Sequence, residues 1–288
     1  MKIGLQIPRF TWPDAPASIG PSLARIVRQA EDAGYDSIWV MDHLFQIRSI
    51  GRYTEPMLEA YTTLGFLAGV TSRVRLGAMV SAVTLRHPGI LVKQVSALDV
   101  LSGGRASLGI GAAWNAQEHI GLGIPFPPVA ERFERLEETL QIAHQMWRGD
   151  TRPFHGRHYQ LEEPVNVPPP LQAPHPPILV GGGGERKTLR LVATYADAWN
   201  VFGFLPHAQL VHKLGVLREH CARVERDPAA IEKTALLSLD PEQGVDRILR
   251  RLDRLRQLGF DTIITSHPGV ETLRPIDTFA REVLPRLG

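Results

Sequence analysis

An unbroken alternation constrains this chain more than any other feature: a short apolar stretch of strand character, then a longer stretch of helix character, eight times over. Strand character lies at 3–7, 37–40, 74–80, 105–110, 177–180, 198–201, 233–239 and 262–265. Helix character lies at 19–33, 58–70, 88–101, 129–147, 185–196, 207–224, 241–258 and 271–287. The run Ser37-Ile38-Trp39-Val40 suits a strand covered on both faces. The stretch 129–147 sets Phe133, Leu136, Leu140 and Ala143 at three- and four-residue steps. Punctuation agrees: Ser18 stands where an N-cap belongs, Pro88 opens a helix, and Gly34, Gly103-Gly104 and Gly259 close helices. Eight such units in 288 residues predict a closed (β/α)8 TIM barrel, one domain over 1–288, rather than an open doubly wound sheet.

One region breaks the rhythm. Residues 149–176 show no helical pattern, and six prolines gather from Pro164 to Pro176. Residues 154–159 have the character of a small hairpin. The region is expected to be an insertion over the active-site rim, not a domain linker.

The 32 basic and 30 acidic residues leave a net charge of +2, which argues against a nucleic-acid binder. The single cysteine, Cys221, excludes a disulfide within the chain and fits a reducing compartment; in its helical context it reads as a small packing residue. Met1 to Pro8 reads as a first strand rather than a signal peptide, and no apolar run nears the ~20 residues that span a bilayer. A soluble, cytoplasmic protein with no membrane partner is expected.

In a barrel of this kind chemistry sits at the C-terminal ends of the strands. That rule selects Asp42 and His43, 79–86, 109–115, Gly181 to Gly184, and 200–202. The run Gly181-Gly182-Gly183-Gly184 joins a strand to a helix, where backbone amides can cradle a phosphate and Arg186 and Lys187 add positive charge. Four glycines exceed what a tight turn needs, so a phosphate site is favoured over a turn. It is not a Walker loop, because no Gly-Lys-Ser/Thr follows. Gly109-x-Gly111, with Trp114 and Asn115 beside it, suits either a flat aromatic ligand near the backbone or a tight turn with Trp114 in the core. His43 suits a general acid or base, a cofactor hydrogen bond, or a structural role; Asp42 could fix its tautomer or cap a turn. The histidines are scattered and no metal-ligand spacing occurs, so no metal is expected. No Gly-x-Ser-x-Gly elbow is present.

Several longer motifs carry a family resemblance. Trp39-Val40-Met41-Asp42-His43-Leu44, the stretch 76–88 from Leu76 to Pro88, and Leu98-Asp99-Val100-Leu101-Ser102-Gly103-Gly104-Arg105 resemble segments of the luciferase-like flavin and deazaflavin oxidoreductases. So do 109–118 from Gly109 to Glu118, 177–184, and Ala196-Asp197-Ala198-Trp199-Asn200. The resemblance runs in order through residue 205 or so and continues beyond it mainly as pattern. It implies a TIM barrel holding coenzyme F-420, or alternatively FMN, in its mouth, in a homodimer. His43 would stand near the reactive part of the ring as the catalytic residue. Met79 and Val80 would form a bulge behind the ring, where the family often has a non-proline cis peptide. Asn115 would bond the ring or ribityl chain, with Asp42 nearby. Gly181, Gly182, Gly183 and Gly184, with Glu185 and Arg186, would form the phosphate side, and Arg186, Lys187 and Arg190 would either meet an acidic cofactor tail or form a solvated helix face. The resemblance implies hydride transfer between F-420 and a small organic substrate. Its alternatives are an FMN-dependent monooxygenase, fed by a separate reductase and using oxygen, and a flavin-binding protein without catalysis. One departure stands out: the family's sugar-6-phosphate dehydrogenases carry Glu at the position of Ala112, which counts against that substrate class.

Overall fold

The computed structural model describes residues 1–287. Its strands are β1 (Lys2–Ile7), β2 (Ser37–Val40), β3 (Arg75–Ala78), β4 (Ser81–Ala82), β5 (Ala106–Gly111), β6 (Phe154–His155), β7 (Gln160–Leu161), β8 (Ile178–Gly181), β9 (Ala198–Phe202), β10 (Glu232–Ser238) and β11 (Thr262–Ser266). The α-helices are α1 (Ile19–Ala33), α2 (Ala60–Val70), α3 (Pro88–Ser102), α4 (Ala116–Gly121), α5 (Val129–Trp147), α6 (Thr188–Tyr195), α7 (His207–Arg223), α8 (Val245–Gln257) and α9 (Arg274–Glu282).

The main sheet is parallel throughout and closes on itself when β3 pairs with β5. The third barrel strand is made of two pieces. β3 pairs with β5 at Leu76↔Ala106, and β4 resumes the pairing at Ser81↔Ile110 after a bulge at Met79 and Val80. The sequence pattern predicts one strand over 74–80; the break is invisible there because apolar residues continue through it. The barrel is the expected one, and all eight predicted strand positions are occupied.

Most of the apolar core lies between strands and helices. A second, smaller cluster contains Trp39, Met79, Leu179, Ala198 and Ile264, with Val80 packed against it. The indole of Trp39 takes room that neighbouring strands must give up. A Cβ on Gly77 would fall 2.5 Å from it, and one on Gly109 would fall 2.0 Å from the carbonyl oxygen of Ala78. Gly111 and Gly181 are glycines for a related reason, since a Cβ on either would come within 2.9 Å of the Val80 side chain. The Gly109-x-Gly111 motif therefore accommodates the neighbouring bulge, whatever else passes near it.

The helix expectations hold in part. Gly34 and Gly103 end α1 and α3 in the left-handed region, at φ 92° and 71°. Ser18, however, makes no side-chain cap bond; its hydroxyl donates to the Pro13 carbonyl at 2.5 Å. The helix after the glycine run begins at Thr188, not at 185. The short α4 has no counterpart in the sequence reading.

The region 149–176 also takes a different course from the one expected. α5 runs against the strands, so its last residue, Trp147, delivers the chain to the foot of the barrel, away from the rim. From there the β6–β7 hairpin climbs the outer wall along α5, where Glu138 accepts from the amides of Arg157 at 2.8 Å and Tyr159 at 3.0 Å. The chain then descends along α3. Asn166 donates to Ser96 Oγ at 3.0 Å, and the amides of Leu171 and Gln172 donate to Asp99 at 2.7 and 3.0 Å. Buried acceptors on α3 and α5 draw this proline-rich strap onto the wall instead of across the mouth.

Candidate active site

The bulge between β3 and β4 shapes one side of the barrel mouth. The Met79–Val80 peptide is cis, as the resemblance implies. Asp42, just past β2, braces the bulge from behind. Its carboxylate accepts from Arg86 Nη1 at 2.6 Å, from Arg86 Nη2 at 2.8 Å and from the Ala82 amide at 3.0 Å. Arg86 also reaches Glu59, which caps α2 through the amides of Tyr61 and Thr62, and its guanidinium lies 4.9 Å from the centre of the Tyr61 ring. Burial works against the Arg86 cation, but the bonds and charge of Asp42, with Glu59, outweigh it and hold the group more basic than usual. Of the two alternatives for Asp42, neither a tautomer-setting bond to His43 nor a turn cap is what it makes.

His43 finds its partner elsewhere. Its Nδ1 lies 2.8 Å from Glu118 Oε1, and Glu118 Oε2 accepts the Leu44 amide at 2.6 Å and the Phe45 amide at 3.4 Å. Glu118 is 1% exposed. Burial alone would raise its carboxyl, yet the bond and charge of His43 and the two amides hold it below the usual carboxylate range. Trp114 meets the His43 ring edge to face at 5.5 Å and is 63% exposed, so it lines the mouth and does not belong to the core.

Glu118 is carried by α4, which secures a second residue too. His119 places Nδ1 2.8 Å from the Asn115 carbonyl and Nε2 2.7 Å from Thr84 Oγ1. Asn115 is the N-cap residue of α4, but its side chain makes no cap bond. The preceding turn is clamped from α5, where Arg132 Nη1 donates to the Ala113 carbonyl at 2.5 Å and Ala113 itself sits at φ 59°.

The glycine run lies at the end of β8, three strands round the barrel from β2. Gly182, at φ 127°, is pinned on both sides: its amide donates to the Asn200 carbonyl at 2.9 Å and its carbonyl accepts Trp199 Nε1 at 2.8 Å. The amides of Gly183 and Gly184 donate to no acceptor among the described residues. Lys213, from α7, holds the Gly183 carbonyl at 2.7 Å and Glu185 at 3.1 Å. Bonds from Lys213 and His212 keep Glu185 below the ordinary carboxylate range, so this acid arrives already paired.

The cations expected beside the run differ in their surroundings. Arg186 is exposed beside a groove between α6 and α7. Lys187 lies over the Phe133 ring at 5.5 Å. Arg190 lines the same groove as Arg186 and pairs with Glu137 of α5 through contacts of 2.8 and 2.5 Å. Sequence reasoning missed Glu118, His119, Arg132 and Lys213 as site-building residues. A signal existed for α4: Asn115 with Glu118 three places on is the spacing of a helix start. Nothing local marks Lys213, which enters from a helix 30 residues downstream. Among the described residues no group of three or more His, Cys, Asp or Glu could hold a metal ion, and no helix is long and apolar enough to cross a membrane.

Comparison with known proteins sets this geometry in context. A protein of Nakamurella multipartita described as an F420-dependent glucose-6-phosphate dehydrogenase is 27% identical over 337 aligned positions, covering 97% of this chain and 96% of that one. The F420-dependent tetrahydromethanopterin reductase of Methanopyrus kandleri superposes with a TM-score of 0.82 at 16% identity, over 100% of this chain and 99% of that one. The monooxygenase RslO1 of Streptomyces bottropensis superposes equally well, at 0.82 and 19% identity, over the whole of both chains. At those identities the two structures speak for the fold alone. Residues 1–241, from the first strand to just past β10, match the luciferase-like monooxygenase family. The chain belongs to that family.

Proposed function

We propose that this protein is an oxidoreductase that transfers a hydride between coenzyme F-420 and a small organic substrate. The observation that carries the reading is the pair of unpartnered amides at Gly183 and Gly184, held open by bonds to Gly182 and Lys213 at the mouth of the barrel. Two adjacent amides without acceptors suit a phosphate. The relatives described as F420-dependent, among them the Nakamurella protein, support the deazaflavin over FMN.

The residues present fit such a group. Gly183 and Gly184 would take its phosphate, the unbonded side chain of Asn115 its polar ring edge or ribityl chain, and the Met79–Val80 bulge the back of its ring. When bound, F-420 supplies a ring carbon that accepts or donates a hydride, chemistry that no side chain offers. The chain contributes position and a proton site. His43, held by Glu118 and edged by Trp114, stands at the mouth as the group that gives or takes a substrate proton. Asp42 serves by bracing the bulge. Ala112 leaves no carboxylate where the sugar-phosphate enzymes carry one, so the reading does not extend to a sugar 6-phosphate.

The protein acts as a homodimer in this reading. α2 and α3 lie side by side and expose the apolar residues Phe66, Ile90 and Leu101, and a second copy would cover this face. The buried, unpaired Cys221 is compatible with a cytoplasmic setting.

Titrating the apoprotein with F-420 and with FMN, followed by fluorescence quenching, tests the assignment. Tighter binding of F-420 is expected. Tighter binding of FMN would replace it with the oxygen-using monooxygenase, and binding of neither would remove the site.

A further inference from the structure

We infer that Glu118 is a positioning residue that fixes the tautomer of His43, so that Nε2 faces the mouth as a proton acceptor. The inference rests on the role given to His43 above. A carboxylate can only accept, and Glu118 stays ionised because His43 and two backbone amides favour its charge. Nδ1, 2.8 Å from Glu118 Oε1, must therefore carry the proton. The ring's other nitrogen, Nε2, has no hydrogen-bond partner among the described residues and keeps its lone pair. The side chain is 15% exposed, enough for a ligand at the mouth to reach one edge. A neutral His43 in this state is ready to accept from a hydroxyl or other donor on the substrate.

The second carboxylate oxygen makes the arrangement unusually testable. Glu118 Oε2 receives the amides of Leu44 and Phe45 at 2.6 and 3.4 Å. In Glu118→Gln the side chain is nearly isosteric, but only one terminal atom can accept. The two amides oblige that atom to be on their side, because an NH2 group there would face donors. The NH2 must then point at Nδ1, which can meet it only as an acceptor. The proton would move to Nε2. The substitution would thus invert the tautomer while leaving the shape of the site in place. Loss of mere structural support would disorder the ring without reversing it.

Nitrogen-15 NMR on histidine-labelled protein without cofactor, at a pH where His43 is neutral, reads the tautomer directly; His43→Gln assigns the signal. The wild-type protein is expected to favour the Nδ1–H form by more than ~10-fold, or about 1.4 kcal/mol. Glu118→Gln is expected to favour the Nε2–H form. A wild-type protein with the proton on Nε2 would overturn the inference with no variant needed, so failure of the Gln variant to fold would not protect it. A folded Gln variant that keeps the proton on Nδ1 would overturn it as well. Neither measurement involves a cofactor or turnover. A failed F-420 titration with the predicted tautomers would count against the function alone.

Discussion

His267 should make this barrel lose stability well before its carboxylates are protonated. The ring lies just past β11, is 4% exposed, and bonds at both nitrogens: Nδ1 is 2.7 Å from the Leu239 carbonyl and Nε2 is 2.7 Å from the Tyr35 hydroxyl. Burial pushes its pKa from 6.5 down to about 4, against the opposing pull of the Leu239 carbonyl and Asp240. The unfolded chain then binds a proton that the folded chain refuses. The stabilising effect is complete above pH 6.5, falls as pH drops through 6.5 toward 4, and is gone below that. Between pH 8 and pH 5 those two pKa values correspond to a loss of about 2 kcal/mol. Urea unfolding at both pH values, for the wild-type protein and for His267→Gln, measures it. The amide can still accept from Tyr35 and donate to Leu239, but it does not titrate. His87 and His144, both pushed below 6.5 by burial, contribute equally to the two proteins and cancel in the difference. The wild-type protein should lose about 2 kcal/mol more than the variant. Equal losses would show that His267 is hydrated or protonated in the folded state, and the reasoning from burial would fail.

Gly183→Asp should lower cofactor affinity by roughly tenfold or more, about 1.4 kcal/mol, because it adds a negative charge to the loop proposed to take the phosphate; unfolding should hardly change, since the nearest atom to a new Cβ is the flexible Lys213 Cε at 3.4 Å. Unchanged affinity, read by fluorescence titration, would exclude this loop from the site. Gly109→Ala should cost roughly 1–3 kcal/mol or more, as overpacking does, because the methyl would meet the Ala78 carbonyl; Gly20→Ala, with nothing within 4 Å, should cost nothing in the same urea assay. Asp42→Asn should cost roughly 3 kcal/mol by leaving the buried Arg86 charge short of a partner. A loss under ~1 kcal/mol on chemical unfolding would mean that the pair behaves as a solvated surface bridge.

The sequence made the barrel legible because strand and helix periods repeat locally, and each of the eight units carries its own record. His43, Asn115 and the glycine run stand out as candidates for a similar reason, since strand ends are visible in the pattern and a barrel of this kind places its chemistry at those ends. What joins them was less visible. Asp42 and His43 are neighbours in the chain, and proximity suggests a pair. Successive side chains at the end of a strand point to opposite sides, so one goes to Arg86 and the other to Glu118. Glu118 comes from six residues of helix, too short to show a period. The split of the third strand leaves no mark because the apolar residues Ala78, Met79 and Val80 run straight through it. The strap over 149–176 was misplaced on the rim because prolines say where helix is absent, and nothing about which surface the chain will cross.

That strap alters how the molecule should come apart. Asp99 is fully buried and binds the foot of β5 through the Ala106 amide, while Leu171 and Gln172 bind the same carboxylate from the strap. Gln172 Nε2 also donates to the Ala106 carbonyl at 2.8 Å. Peeling the strap away would strand a buried charge against a barrel strand, so its release and the opening of the barrel belong to one cooperative unit. A stretch that resembles an excisable loop would then resist proteases until the whole barrel unfolds, and its amides would exchange with solvent as slowly as those of β5.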